Sequence, residues 1–475
     1  MTVSRNRASS ARAARAVRSL YARLRSGNAG LTALVFAGGL GIWALRHAGD
    51  RSRPEHAVAS ETSRSASEAV PRRASAAADS KALCLAPVPP GSLVRRALLT
   101  SMAQAKKLSH RPDAWVDVGH VWMRQLRGTG DSGFALHAEA CARVALEIAP
   151  EDPRASALIG QVRLDAHEFR AARDVAEALL ARDPNDPSAL GMLSDAALEL
   201  GDVPAASGAA QRLMDHSPGL GAYARASYLR WLHGDEQGAI DLARLAIDSA
   251  GDPNELDMRA WILVQAAQLF WQRGDLEGAE AGYRMALAVR SDYAPALLGV
   301  GKVQAARGQY REAAETLRRA LAVHSDVETA ALLRQVLERL GDAELARHDA
   351  AIEQIGRHDR RALALYYASR RIEPARAIEL ARAELAVRGD IYTEDALGWA
   401  LYANGQLAEA EQHAERALRL GTRDAQLLYH LGAIRLGLGK SAEARALLDQ
   451  ALRQNPRFDP AGADDARQLL ERARS

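Results

Sequence analysis

From about residue 112 onward the apolar positions recur with a helical period, broken at regular intervals by glycine and closed by proline. The clearest stretch is Ala294 to Val327. A first helix carries Leu297, Val300 and Gly301, a break falls at Gly308-Gln309-Tyr310, and a second helix carries Ala313, Leu317, Ala320 and Leu321. The break recurs as Gly201-Asp202, Gly234-Asp235, Gly274-Asp275, Gly308-Gln309, Gly341-Asp342, Gly405-Gln406 and Gly439-Lys440, mostly 33 or 34 residues apart. Pro150, Pro184 and Pro218 repeat at 34 residues, and Pro456 marks a further end. Glycine suits the left-handed residue that ends a first helix, and proline stops a second one. The pattern therefore predicts an all-α chain of stacked helical hairpins, none able to bury its apolar face alone.

Ten hairpins are expected over 112–458, starting near Pro112, Pro153, Pro187, Leu220, Ala260, Ala294, Val327, His358, Ile391 and Ala425. Helices over 92–111 and 459–475 are expected to cap the two ends. Two hairpins depart from the pattern. The first has a lengthened turn, Arg127 to Gly133, and the one near His358 has Arg370-Arg371 in place of the glycine break.

Ahead of the array the pattern changes. Seven Arg and no acid occupy the first 25 residues, and no charge falls between Arg25 and Arg46. The apolar run from Ala29 to Leu45 is about 25 Å long as a helix, the short end of what crosses a bilayer core. We expect a basic N-terminus over 1–27, a transmembrane anchor over 28–46 and a disordered linker over 47–91. The arginine excess before the run predicts a cytoplasmic N-terminus with the rest of the chain on the far side. A cleaved signal peptide, a mitochondrial transit peptide and a buried core helix compete with the anchor. Leu45-Arg46-His47 is a poor cleavage site, and Ala57-Val58-Ala59 lies far from the run.

Composition adds direction. Of 62 basic residues only Lys81, Lys106, Lys107, Lys302 and Lys440 are lysine, and the Arg- and Ala-rich usage suggests a bacterial source. The net charge of +3 combines +9 on residues 1–53 with an acidic remainder, a balance that disfavours nucleic acid as the partner of the array. The two cysteines are Cys84, in the linker, and Cys141, in an Ala-rich helix, and the sequence gives no support for pairing them.

The array resembles the tetratricopeptide repeat family. Gly432, Gly439, Ala444, Ala451, Leu452 and Pro456 fall at its consensus positions, as do Leu397, Gly398, Leu401, Gly405, Ala410, Ala417 and Leu418. The resemblance implies a right-handed superhelical solenoid whose inner groove is lined by the first helix of each hairpin. Inner-face spacings then give Tyr228 and Trp231; Trp261, Val264, Gln268 and Trp271; Tyr392, Asp395, Trp399 and Tyr402; and Tyr429. In a chain with 5% aromatics, that set is the candidate binding site for a protein or peptide partner. The competing reading is that the rings pack between hairpins, as expected for Trp115 and Trp122. Family members that hold chaperone tails use Lys and Asn on inner faces; here Lys302 stands without Asn, which argues against that ligand.

No enzyme or cofactor signature emerges. His137-Ala138-Glu139 lacks the Pro-Cys-x-x-Cys a zinc deaminase needs, and His348-Asp349 and His358-Asp359 are adjacent residues that diverge on a helix. The expected role is a non-catalytic scaffold at a bacterial inner membrane, single-pass, with the solenoid outside the cytoplasm. The alternative is an accessory or regulatory subunit of an envelope enzyme or assembly system.

Overall fold

The computed structural model describes residues 79–474 apart from Leu93, Gly130, residues 251–255, Glu344 and His358. The expected basic N-terminus, the anchor and the linker up to residue 78 lie outside the described residues. Among the described residues no helix is long and apolar enough to cross a membrane.

The described chain is helical throughout and forms two compact units divided at Ala196–Ala197. In the first, a short helix over 79–84 precedes α1 (Arg95–Lys107), and then come α2 (Pro112–Thr129), α3 (Gly133–Ile148), α4 (Pro153–Asp165) and α5 (Phe169–Arg182). Helix α6 (Pro187–Glu199) spans the division. The second unit continues with α7 (Val203–His216), α8 (Leu220–Leu232), α9 (Glu236–Asp248), α10 (Leu256–Gln272), α11 (Leu276–Val289), α12 (Ala294–Ala306) and α13 (Tyr310–Val323). It ends with α14 (Val327–Arg339), α15 (Leu345–Gly356), α16 (Arg360–Arg370), α17 (Pro374–Leu385), α18 (Ile391–Ala403), α19 (Leu407–Ala417), α20 (Ala425–Gly437), α21 (Ser441–Gln454) and α22 (Gly462–Arg472). Within each unit successive helices pack as hairpins, α2 with α3 and α4 with α5, then α8 with α9 and so on to α20 with α21, with α1 before the first and α22 after the last. Eight first helices begin at the expected residue; the other two begin at Leu256 and Arg360 instead of near Ala260 and His358.

The Gly-Asp signature has a local cause. Gly234 takes φ of 75°, where a side chain would be strained, and the next residue, Asp235, accepts a hydrogen bond from Gly238 N at 2.9 Å to cap α9. Asp202 and Asp275 cap α7 and α11 in the same way. Each such cap contributes about 1 kcal/mol. Where glycine is missing, other residues take the left-handed conformation: His167 between α4 and α5, and Arg371 and Glu373 between α16 and α17. The eighth hairpin therefore keeps its turn despite Arg370-Arg371.

First and second helices are buried differently. Helix α12 is buried on nearly every face, because its own partner and the neighbouring hairpins enclose it. Helix α13 buries one stripe, including Ala313, Leu317 and Ala320, and leaves Arg318 and Arg319 exposed. Close approach within a hairpin shows at Gly398, where an added Cβ would lie 3.1 Å from Ala414 N and 3.2 Å from Ala410 O.

Two findings were not expected. Cys84 and Cys141 form a disulfide, with 4.7 Å between their Cα atoms, so the pairing that the sequence left unsupported is present. Residues 79–91, read as the end of a linker, instead pack on α2 and α3. The second finding is that the 197–475 unit coils back on itself. Gly389 N donates to Glu199 O at 2.9 Å, and Gln272 Nε2 donates to Asp424 Oδ2 at 3.1 Å. Asn455 Nδ2 donates to Trp271 O at 2.7 Å across 184 residues of sequence. Loops that follow α6, α8 and α10 thus rest on the loops before α18 and α20 and after α21.

Candidate partner-binding face

That return brings α18 against α8. The Tyr392 phenol faces Trp231 and Tyr228, which favour its ionised form, but burial, then the Asp424 charge, pushes it well up. Trp231 and Trp271 are buried, whereas Tyr228, Trp261 and Tyr392 are half-buried against the same core. Gln268 is also half-buried, and its Oε1 accepts from Tyr283 Oη at 2.8 Å. Its carbonyl is thereby turned toward its own hairpin partner, α11.

Beside these rings lies a buried ionic cluster. Arg388 Nε is 2.7 Å from Glu199 Oε2, and Arg361 Nη1 donates to Asp390 Oδ1 at 3.1 Å. Burial alone would raise the Asp390 carboxyl, but the Arg361 and Arg388 guanidiniums outweigh it and hold it below the usual carboxylate range. Burial also pushes the Tyr228 phenol up, with the neighbouring Tyr392, Asp390 and Glu199 adding to the shift.

The remaining candidates form a second group. The Trp399 ring stacks on His430 at 3.9 Å and on Tyr402 at 4.8 Å, and Tyr429 approaches it at 5.3 Å. Trp399 Nε1 donates to Ser369 Oγ at 3.1 Å, Tyr429 Oη donates to Asp465 Oδ2 at 2.7 Å, and His430 Nδ1 lies 2.9 Å from Asp395 Oδ1. Trp399 and Tyr429 are buried; Tyr402 is half-buried under the Arg371 guanidinium, 5.8 Å from the ring centre. The indole and phenol polar atoms are satisfied inside the protein, which is what sealed aromatic packing requires.

The structure thus splits the eleven residues of the inner-face set, of which Val264 and Asp395 are buried. Trp231, Trp271, Trp399 and Tyr429 are core; Tyr228, Trp261, Tyr392 and Tyr402 keep partial access, as does Gln268. The sequence reading passed over Tyr223, which packs with Tyr228, Trp261, Leu220 and Ile247 against a small core of Ala224, Ala246 and Ile262. Tyr223 and Tyr228 are five residues apart, outside a spacing of three and four, so the face rule passed over it. Trp115 and Trp122 are buried as expected of packing residues.

Two residues of the rejected motifs have partners within the fold. His137 Nδ1 lies 2.9 Å from Leu83 O, and the Asp349 carboxylate accepts from Arg334 and Tyr366. His358 is outside the described residues. Among the described residues no cluster of His, Cys, Asp and Glu could hold a metal ion.

A tetratricopeptide repeat model matches residues 157–221, 264–326 and 396–460. Over those residues the chain is similar to tetratricopeptide repeats. Repeats of this kind generally build non-catalytic protein-interaction scaffolds. Similar solved structures include PilW, a type IV pilus biogenesis factor, at 15% identity over 42% of this chain and 92% of that one, with a TM-score of 0.37. They also include the anaphase-promoting complex hetero-tetramer Cut9-Hcn1, at 16% identity over 80% of this chain and 93% of that one, TM-score 0.31. YrrB, a tetratricopeptide repeat protein with an unusual peptide-binding site, is 22% identical over 47% of this chain and 98% of that one, TM-score 0.19. No curated protein matches this chain.

Proposed function

We propose that the protein is a membrane-tethered scaffold that docks a partner protein or peptide on the aromatic face of α8 and α10, bordered by Tyr392 of α18. The observation that carries this reading is that the half-buried rings Tyr223, Tyr228 and Trp261 share one small core, with Leu256 and Met258 exposed at the start of α10. Rigid amphipathic rings that keep partial access lose little entropy on burial and anchor interfaces well. Tyr392 and Tyr402 extend the candidate surface, and Gln268 supplies a carboxamide. Trp231, Trp271, Trp399 and Tyr429 support those rings from beneath.

In this reading residues 28–46 are the anchor and the repeats lie beyond the bacterial inner membrane. Two observations support that side: the arginine excess before the apolar run, and the Cys84–Cys141 disulfide, a bond that persists in oxidising compartments and is rare in the cytosol. The test is a crosslinking pull-down from membranes with the native chain and a Tyr223→Ala, Trp261→Ala variant. Loss of one specific partner with helicity and melting unchanged is expected. An unchanged set of partners contradicts the face assignment, and a protease-shielded C-terminus in intact spheroplasts contradicts the topology.

A further inference from the structure

Helix α1 buries one stripe, Leu98, Met102 and Ala105, on the first hairpin. Its outer side is a different kind of surface. Arg95, Leu99, Ala103 and Lys106 follow one another along the helix at spacings of four and three, with Arg96, Thr100 and Lys107 beside them, and all seven are exposed. Leu99 keeps 50% of its surface in solvent. Leu99 and Ala103 form a short apolar centre, with two cations toward each end of the helix.

The sequence of α1 contains no acid. Arg95 Nη1 donates to Val88 O at 3.2 Å, but among the described residues no carboxylate pairs with Arg96, Lys106 or Lys107. Solvated faces elsewhere in the chain carry both signs; α13 exposes Arg311, Glu312, Glu315, Arg318 and Arg319. The start of α1 is also locally unfavourable. Two arginines occupy its first turn, where the helix dipole favours acids, and Val94 supplies no side-chain cap. Helix α16 opens on Arg360-Arg361 too, but there the Asp359 cap and the Asp390 carboxylate offset the charge. Over 79–111 six basic residues stand against one acid, Asp79, whereas residues 112–475 are net acidic. The cations of α1 therefore want an anion from outside the protein.

We propose that the outer face of α1 docks on an anionic lipid surface, with Leu99 entering the headgroup layer and Arg95, Arg96, Lys106 and Lys107 meeting lipid phosphates. Long basic side chains reach headgroups while an apolar residue between them sits deeper. Charge of one sign along the whole exposed face is the complement of such a surface. Helix α1 is also the part of the array next in sequence to the apolar run of 28–46, with only residues 47–91 intervening apart from the cap residues. The inference rests on the membrane-tethered reading and names the surface of the array that lies against the lipid.

The test uses the full chain with Leu99→Cys, labelled by an environment-sensitive dye under non-reducing conditions that spare Cys84–Cys141. Ala178→Cys, exposed on α5 of the same unit, is the control. Vesicles are phosphatidylcholine alone or equal parts phosphatidylcholine and phosphatidylglycerol, each with a nitroxide lipid as quencher. Quenching at 99 is expected to be at least threefold greater on the anionic vesicles and to fall to the phosphatidylcholine level in high salt. It should be lost in an Arg96→Gln, Lys106→Gln, Lys107→Gln background, and quenching at 178 should stay low throughout. In the unlabelled chain, acylation of Lys106 and Lys107 should slow on anionic vesicles while that of the exposed Lys440 does not. Flotation with phosphatidylcholine vesicles in high salt reads the anchor by itself, so a failed anchor and a failed docking face give different results. Equal quenching at 99 on both vesicles, or equal quenching at 99 and 178, overturns the proposal. So does an unquenched position 99 on the anionic vesicles, which would leave the face to an acidic protein.

Discussion

The Arg388 guanidinium lies 2.7 Å from the Glu199 carboxylate, with only 5% and 7% of the two side chains exposed, although one precedes the α6–α7 turn and the other follows α17. Gly389 N donates to Glu199 O beside it. Together they close one coil of the 197–475 unit. The same closure carries Tyr392 to Tyr228, so a clasp remote from any ligand shapes the face proposed to bind one.

Removing one partner of this pair leaves a buried charge without compensation. Arg388→Met is therefore expected to destabilise the protein by about 3–5 kcal/mol in chemical denaturation. The exposed pair Arg154–Asp117, with roughly half of each side chain accessible, is the control: Arg154→Met should cost under about 1 kcal/mol. Similar losses for both would refute the clasp.

The clasp is also acid-sensitive. Asp390 has a depressed carboxyl, so its contribution is present above the unfolded pKa, near 4, and is lost as pH falls through its lower folded value. Stability of the native chain should drop below about pH 4 with a proton uptake that Asp390→Asn removes. Equal pH slopes for both proteins would contradict this.

Asp165 should behave in the opposite sense. Burial raises its carboxyl to about 6, with the Asp195 charge adding and Arg127 opposing. A raised carboxyl favours the fold below its unfolded pKa, near 4, and that advantage is gone once pH passes about 6. Asp165→Asn is thus expected to stabilise the protein at pH 7 by up to about 3 kcal/mol and to be neutral at pH 3.5, measured by melting across pH. Destabilisation at pH 7 would mean that the carboxylate is needed in its charged form.

Glu373 sits exposed at φ of 44° immediately before Pro374. Left-handed backbone costs a side-chain-bearing residue about 1–2 kcal/mol, partly offset by glycine's greater freedom when unfolded. Glu373→Gly should therefore raise stability by about 0.5–1 kcal/mol in calorimetry. A lower melting temperature would show that the turn is not strained.

Much of the fold was legible because the repeat is written in local rules. Gly201-Asp202 or Gly234-Asp235 announces a left-handed turn and the cap after it within two residues, and eight hairpin starts followed directly. What escaped the sequence depends on long-range closure. Nothing near Gly389 signals that its amide meets Glu199, and nothing near Cys84 signals Cys141, because both meetings are fixed by the pitch of the coil and the path of residues 79–91. The aromatic set suffered from the same gap. Spacing singled out Trp231 and Trp399, but only the return of α18 onto α8, and the stacking of His430 under Trp399, decide which rings are sealed.

The most direct test of the partner-binding face is site-specific photocrosslinking in membranes, with the crosslinker placed at Trp261 or, on the exposed side of α13, at Arg318. The account predicts one discrete adduct from position 261, abolished by Tyr223→Ala, and none from 318. An adduct from 318 with none from 261 would move the partner to the convex side and leave the aromatic row as packing.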